Sequence, residues 1–342
     1  MEKSRVETTK YESPMNKEYV SSIPFQEAHP NYDVSTLPSW VQDNIEFTRV
    51  YGYKNKCIIL PDGRKYHLDN KLNDLTGKEW TFFINSVFLT SYPTRGKESY
   101  AHHIRKIHPT PKPPQLMRDL ICFFTKKNEL VFDCFMGVGG TLLGAALCDR
   151  KAAGIDLNQT YIDAYESAAR ELELPIFPTK AGDALELLAE RNEIKRLTTG
   201  RQISLLLIDP PYSNMMSKEK TGADISVYGK SPTPFTNSDK DLGNMSKEGF
   251  FNALKKSVEL VLPELKTRGY IVIFIKDLQP HKKQTNLLHA EVVDKLNEIP
   301  NIYYKGLKIW ADESSKLYPY GYPFSFVPNQ IHQYILVFRK ER

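Results

Sequence analysis

The sequence predicts a doubly wound, mostly parallel α/β fold, and three observations carry that prediction. From Lys112 onward, apolar strand-like runs alternate with amphipathic helical stretches, the pattern of a parallel sheet with helices on both faces. The run Leu205-Leu206-Leu207-Ile208 is uniformly aliphatic, as suits a strand buried on both sides, and Asp209-Pro210-Pro211-Tyr212 stops it. A glycine-containing turn, Gly137-Val138-Gly139-Gly140, joins an earlier apolar strand to a helix.

Residues 1–40 are polar, contain Pro14, Pro24, Pro30 and Pro38, and show little periodicity, which predicts a flexible tail or a wrapping segment. Residues 41–106 predict a small basic subdomain. Within it Lys56 to Leu60 is a strand, Pro61-Asp62-Gly63 a turn and Arg64 to Leu68 its hairpin partner. Leu75 to Phe88 predicts a helix followed by an irregular piece, and Ser91 to Thr110 a loop. Residues 107–342 form the main domain. Pro113-Pro114 opens a helix over Gln115 to Phe124. Strands follow at Leu130 to Asp133, Ala152 to Asp156, Ile176 to Thr179, Ile203 to Asp209, Tyr270 to Ile275, Ile302 to Trp310 and Gln333 to Phe338. Helices separate them at Thr141 to Cys148, Ile162 to Leu174, Leu185 to Glu190, Phe250 to Leu265 and His289 to Leu296. Long non-periodic stretches at 213–249 and 311–332 predict loops with a function at the substrate.

Composition narrows the class. At 342 residues with 41% hydrophobic content the chain can build a packed core. No apolar run reaches the ~20 residues of a membrane span, and the charged start Met1-Glu2-Lys3-Ser4 leads into no apolar stretch, so a cytoplasmic protein without a membrane partner is expected. Cys57, Cys122, Cys134 and Cys148 form no Cys-x-x-Cys pair, which disfavours a zinc site or a disulfide frame; no metal is expected. The net charge is +5, yet residues 49–127 hold 15 Lys/Arg against 6 Asp/Glu. That asymmetry suits a polyanion partner, and an ordinary solvated face would look the same. Arg95, Lys97, Arg105 and Lys106 are the candidate phosphate contacts.

The turn after the first main-domain strand carries the cofactor reading. Gly137 and Gly139 let backbone approach a ligand closely. Asp156 ends the next strand, 23 residues after Asp133, where a carboxylate can take a ribose hydroxyl. Alone, Gly-x-Gly is weak, since a dinucleotide, a nucleoside or a tight turn all fit. Here the third fingerprint glycine is displaced to Gly144, and Asp133 stands where a pyrophosphate would be repelled. A phosphate-free nucleoside bearing an ammonium and a sulfonium suits the site better, and S-adenosylmethionine is of that description. Asp183 after the third strand is placed to meet the adenine, and it reads equally as a helix N-cap.

Three motifs together make the chain resemble the DNA amino-methyltransferases that modify adenine N6 or cytosine N4. They are His108-Pro109-Thr110-Pro111-Lys112-Pro113, the Asp133-Cys134-Phe135 to Thr141 turn, and Asp209-Pro210-Pro211-Tyr212. The likeness spans about Ile107 to Lys340. It implies a Rossmann-like, seven-stranded sheet whose last strand, Ile331 to Phe338, is reversed. It implies S-adenosylmethionine as cofactor, held by His108, Thr110, Lys112, Asp133, Phe135, Gly137, Gly139, Thr141, Asp156 and Asp183. Double-stranded DNA is the implied substrate, with a cognate restriction enzyme and a second copy of the chain as further partners. Two departures stand out: Cys134 where the family usually has Pro, and Val138 where it often has Ser or Thr. The cofactor turn also precedes the catalytic turn.

The chemistry assigned to Asp209 follows from the acceptor. An exocyclic amine is a poor nucleophile because its lone pair is delocalised into the ring. Asp209 and the carbonyl of Pro210, fixed by Pro211, can accept its two N–H bonds and localise that pair, so that orientation does most of the catalysis. Tyr212 is expected to stack on a base taken out of the duplex; a packing ring at a strand end is the plainer alternative. Asp at the first motif position favours adenine over cytosine on the resemblance alone. Tyr320 and Tyr322, in the aromatic run 318–326, are expected either to stack on bases or to cover the core. Lys218 and Lys220 are expected to close over the substrate. An RNA or protein-amide methyltransferase shares this kind of turn. A nicotinamide dehydrogenase is disfavoured by Asp133, and a silent nucleic-acid binder by the intact Asp209 to Tyr212 run.

Overall fold

The computed structural model describes residues 19, 21–212, 235–280 and 285–342 and divides into two units, Met1–Ile84 and Asn85–Arg342. The first unit holds strands β1 (Ile23–Pro24), β2 (Arg49–Tyr51), β3 (Cys57–Ile59) and β4 (Lys65–His67), which pair antiparallel in that order. Helices α1 (Phe25–Ala28), α2 (Ser39–Gln42) and α3 (Gly77–Phe83) accompany them. The expected hairpin is present, with Cys57 opposite His67. Thr76 opens α3 with a capping box: its hydroxyl accepts from the Glu79 N–H, and the Glu79 carboxylate accepts from the Thr76 N–H.

The described part of the expected tail is not a loose segment. Phe25 and Leu37 are buried with Val41, Val50, Ile58 and Tyr66 in one apolar cluster. Single apolar residues spaced between prolines pack one at a time, so they leave no period in the sequence. The unit boundary also differs from the expected one at 106, because residues 85–106 belong to the larger unit.

That unit contains β5 (Val87–Thr90), α4 (His102–Arg105), α5 (Pro114–Phe124), β6 (Leu130–Asp133), α6 (Gly140–Ala146), β7 (Lys151–Asp156), α7 (Gln159–Glu171), β8 (Thr179–Ala181), α8 (Ala184–Ala189), α9 (Arg191–Leu197), β9 (Ile203–Ile208), α10 (Lys247–Val261), β10 (Leu265–Ile275), α11 (Leu288–Asn297), β11 (Ile302–Asp312) and β12 (His332–Lys340). The sheet order is β5-β11-β12-β10-β9-β6-β7-β8. All neighbouring pairs are parallel except the two made by β12, which runs against both β10 and β11. The mostly parallel sheet with a reversed last strand is therefore as expected, but it has eight strands rather than seven. The extra one is β5, which lies inside the stretch read as irregular. It is an edge strand of four residues paired, among the described residues, only with β11, and is too short to show a period. The third parallel strand is likewise displaced, from the expected 176–179 to Thr179–Ala181.

β9 is buried at all six positions, and its Ile203, Leu206 and Ile208 join side chains of β6, β7 and β10 in the main core with Phe250, Leu254 and Val258 of α10. Because the strands are parallel, their carboxyl ends gather on one rim, which the reversed β12 meets with its first residues. That rim is where ligands bind in open α/β sheets.

Gly144 contributes to packing rather than to a phosphate loop. A Cβ there would lie 2.8 Å from Arg118 N and 2.9 Å from Pro114 O, so the backbones of α5 and α6 touch at this point. Gly144→Ala is expected to destabilise the fold by about 1–3 kcal/mol, because neither backbone can yield without moving a helix. Urea denaturation measures this, and unchanged stability would show that the close approach is not a constraint.

Candidate active site

The first turn of the rim is built from buried carboxylates. Asp133 ends β6 and is almost fully buried. Its Oδ1 accepts from the Phe135 N–H at 3.0 Å and its Oδ2 from the Thr141 hydroxyl at 2.6 Å. Burial pushes its carboxyl up to about 7, against the lowering effect of those two donors. Asp156 ends β7 and fastens the glycine turn: its Oδ2 accepts from the Gly137 N–H at 2.7 Å and its Oδ1 from the Asn158 N–H at 2.8 Å. Burial raises it as well, to about 6. Gly139 sits at φ +73 and a Cβ there would fall 2.2 Å from the Tyr165 ring, so this position of the turn requires glycine. Asp183 caps α8 by accepting from the Leu185 N–H at 2.8 Å, and it also lines the cleft; its two expected readings hold together.

Asp209 stands immediately after β9 on the same rim. Its Oδ2 accepts from Lys112 Nζ at 2.5 Å and its Oδ1 from the Tyr212 hydroxyl at 2.6 Å. A carboxylate offers roughly four acceptor sites, so these two bonds leave capacity for an incoming N–H. Tyr212 is only 9% exposed and packs in the main core. Its hydroxyl orients Asp209, and burial together with the neighbouring carboxylate holds the phenol well above its ordinary range. The ring therefore meets the packing alternative, although its edge still lines the cleft.

The segment 108–113 folds over the glycine turn. The His108 ring stacks on Phe235, with centroids 5.0 Å apart, and meets Tyr161 edge-on at 4.9 Å. Burial pushes this imidazole down to about 4, so it is neutral near pH 7. Asp241 shapes the opposite wall by accepting from Thr236 N, Thr236 Oγ1 and Gly243 N at 2.8–3.0 Å. His108, Thr110, Lys112, Phe135, Gly137, Asp156, Asp183 and Asp209 to Tyr212 all line one cleft of about 160 Å³. Asp133 and Thr141 line the adjoining hollow with Lys112 and Asp209. Phe235, Tyr161 and Asp241 were not singled out from the sequence, although Phe235 and Asp241 fall in the 213–249 stretch expected to act at the substrate. They lie outside the motifs, and only the tertiary fold brings them to the rim.

Arg105 corrects the expected phosphate track. It is 1% exposed, and its guanidinium donates to the carbonyls of Val138 and Lys112, so it braces the 108–113 segment against the glycine turn. A side chain spent inside the protein cannot reach a phosphate. Arg95, Lys97 and Lys106 are exposed, and the first two border a hollow with His103 and Glu173. Lys218 and Lys220 lie outside the described residues. Tyr322 is 81% exposed, as are its neighbours Phe324 at 93% and Phe326 at 91%, while Tyr320 is half-buried. The 318–326 run therefore does not cover the core.

Fold and rim define a doubly wound α/β protein with a carboxylate-lined cleft at the carboxyl ends of its strands. Several known proteins are similar to the chain. A family model described as DNA methylase, of the N6/N4 methyltransferases, matches residues 7–167; the match takes in the 108–113 segment and the 133–141 turn and ends before Asp209. Two type II methyltransferases are homologues. M1.MboII of Moraxella bovis is 30% identical over 145 residues, 42% of this chain and 50% of that protein. M.HinfI of Haemophilus influenzae is 38% identical over 69 residues, 20% of this chain and 19% of that protein. A tRNA (guanine(10)-N2)-dimethyltransferase of Pyrococcus abyssi is 28% identical over 104 residues, 30% of this chain and 29% of that protein. The chain thus spans half or less of the length of these curated relatives. Among solved structures, TrmN from Thermus thermophilus superposes with a TM-score of 0.44 at 14% identity, covering 71% of this chain and 53% of TrmN.

The raised carboxyl of Asp133 sets a pH dependence. Its folded value, about 7, lies above the ordinary carboxylate value of 3.8, so the folded state binds the extra proton between those values. This group's contribution to stability is full below the unfolded value and is lost as pH rises to about 7. Asp133→Asn cannot titrate. Its stability relative to the unsubstituted protein is expected to climb from about pH 4 to pH 7 and then level off. Thermal melts across that range measure the difference, and a flat difference curve would reject the buried-carboxyl assignment.

Proposed function

We propose that the chain is an S-adenosylmethionine-dependent methyltransferase acting on the exocyclic amine of a base flipped out of double-stranded DNA, with adenine N6 as the acceptor. The observation that carries this reading is the shared cleft: Asp209 with its two-proline turn faces the same space as the Asp156 and Asp183 carboxylates. The residues fit the cofactor. The cleft offers carboxylates to a cation and to ribose hydroxyls, and apolar walls in Phe135, Leu157 and Leu242 for a purine. When bound, S-adenosylmethionine supplies a methyl group on a sulfonium. Asp156 and Asp183 would bind the nucleoside, and His108 and Thr110 would close over the cofactor.

Asp209 and the Pro210 carbonyl accept the amine's N–H bonds and turn its lone pair toward the methyl group. Lys112 and Tyr212 hold the Asp209 carboxylate in place while this happens. The exposed rings of Tyr322, Phe324 and Phe326 suit base stacking or a wedge into the duplex, and Arg95, Lys97 and Lys106 suit the phosphates. Among the described residues no helix is long and apolar enough to cross a membrane. The proposed setting is the cytoplasm, with a restriction endonuclease of the same recognition sequence and a second copy of the chain as further partners. The similarity to a tRNA methyltransferase keeps RNA as the second reading.

Labelled S-adenosylmethionine incubated with duplex DNA, RNA and protein extract tests the substrate class. Label in DNA, recovered as N6-methyladenine, is expected; label confined to RNA or protein rejects the DNA reading, and N4-methylcytosine rejects adenine. Asp209→Ala is expected to lose about a thousandfold in transfer while retaining S-adenosylmethionine binding in equilibrium dialysis. Near-normal turnover of that variant would remove Asp209 from the mechanism.

A further inference from the structure

Helices α5 and α6 lie side by side in parallel register. Gly140, the first residue of α6, meets the Lys112 carbonyl just before α5, and Gly144 meets Met117 and Arg118 one turn further on. A Cβ on either glycine would fall 2.8 Å from the facing helix or its lead-in, so the two chains are in contact along this line. One more turn along, α5 carries Cys122 and the turn that ends α6 carries Cys148. Each follows by four residues a member of the Arg118–Gly144 contact, the spacing that keeps side chains on one helix face. Beyond them the two chains are tied again. The buried Arg150 guanidinium donates to the Thr125 carbonyl at 2.9 Å, to the Thr125 hydroxyl at 3.3 Å and to the Cys148 carbonyl at 2.7 Å. The two thiols are thus enclosed between two fixed contacts, and they are hydrogen-bonded to each other.

The pair is chemically unequal. The bond from Cys148 lowers the Cys122 thiol from its ordinary value, and the Arg150 and Arg118 cations add to this against the effect of burial. The bond to Cys122, and then burial, raise the Cys148 thiol. Cys122 is therefore the better nucleophile, and Cys148 keeps its proton. Both residues are half-buried, so neither is sealed from solvent. Cys134 differs: it is 1% exposed, and burial holds its thiol well above the ordinary range.

We propose that Cys122 and Cys148 are a peroxide-oxidisable pair whose disulfide staples α5 to α6. The Cys122 thiolate attacks hydrogen peroxide: an S–O bond forms, the O–O bond breaks, and the departing hydroxide takes up a proton and leaves as water. The Cys148 sulfur then attacks the sulfur of the Cys122 sulfenic acid. The S–S bond forms, the S–O bond breaks, and the released hydroxide takes the Cys148 proton to give a second water. Two thiols lose two electrons, and peroxide gains them. A dithiol reductant reverses the change. α5 follows the 108–113 segment and α6 begins in the glycine turn, so the staple joins the far ends of two helices that lead away from the cleft. It is independent of the methyltransferase reading.

The test uses the full chain, reduced with dithiothreitol, freed of it, and exposed to hydrogen peroxide. Remaining thiols are alkylated, and tryptic peptides are read by mass spectrometry without reduction. A peptide joining residues 119–126 to residues 128–150, lighter than the sum of its parts by two hydrogens, is expected, and dithiothreitol should abolish it. Because 128–150 also contains Cys134, Cys148→Ser supplies the assignment: the link should vanish, and dimedone should label Cys122 as a trapped sulfenic acid. Cys57→Ser should leave the link at full yield. The oxidised protein is expected to melt about 5 °C higher than the reduced protein, because the bond closes a loop in the unfolded chain. No link in the peroxide-treated unsubstituted protein overturns the proposal. So does a link that survives Cys148→Ser, or one that runs between two chains on a denaturing gel. Dimedone on Cys148 of Cys122→Ser, with none on Cys122 of Cys148→Ser, overturns the order of attack. An equal or lower melting point of the linked form overturns the staple.

Discussion

The contact between Lys112 and Asp209 joins parts of the chain 97 residues apart and ties the segment 108–113 to the end of the central strand. Both side chains are largely withdrawn from solvent, at 8% and 16% exposure. Desolvation of two charges offsets much of what their attraction supplies, so the pair is weak support for stability. Its consequence is positional: removing either partner would leave a charge stranded among apolar neighbours. Lys112 Nζ also lies 5.1 Å from the centroid of Phe274 on β10, and its carbonyl accepts from Arg105. One lysine thus fixes the Asp209 turn, the neighbouring strand and the braced segment in a single arrangement.

The rim concentrates negative charge, and that constrains what it can hold. Asp133, Asp156 and Asp209 all follow or end adjacent parallel strands. Burial disfavours the charged forms of Asp133 and Asp156, and the nearby carboxylates add to this for Asp133. A cationic occupant relieves that repulsion, whereas a pyrophosphate would increase it. The same reasoning explains why the turn uses side-chain carboxylates to bind its own N–H groups: Phe135, Gly137 and Asn158 donate inward to Asp133 and Asp156 rather than presenting an anion-binding nest.

The parts of this architecture that were legible in the sequence are those with short-range physical signatures. β9 ends in two prolines, the glycine turn lies between a strand and a helix, and Asp183 sits where an N-cap belongs. β5 was not legible, because four residues on a sheet edge take their conformation from β11 and not from any pattern of their own. Arg105 was misjudged because charge in a sequence does not reveal burial; its guanidinium is satisfied by two backbone carbonyls that only the fold brings near. Phe235 belongs to the same class of omission, since it reaches His108 from 127 residues further along the chain.

The aromatic run between β11 and β12 raises a separate constraint. Its anchor is Asn329, whose side chain accepts from Tyr318 N at 2.8 Å and donates to Tyr318 O at 2.7 Å, closing the base of the loop. The arm so closed carries Tyr322, Phe324 and Phe326 almost fully into solvent. The loop leads directly into β12, which begins at His332 and Gln333. Parallel strands with a reversed neighbour thus place the rim carboxylates and the start of β12 around one cleft.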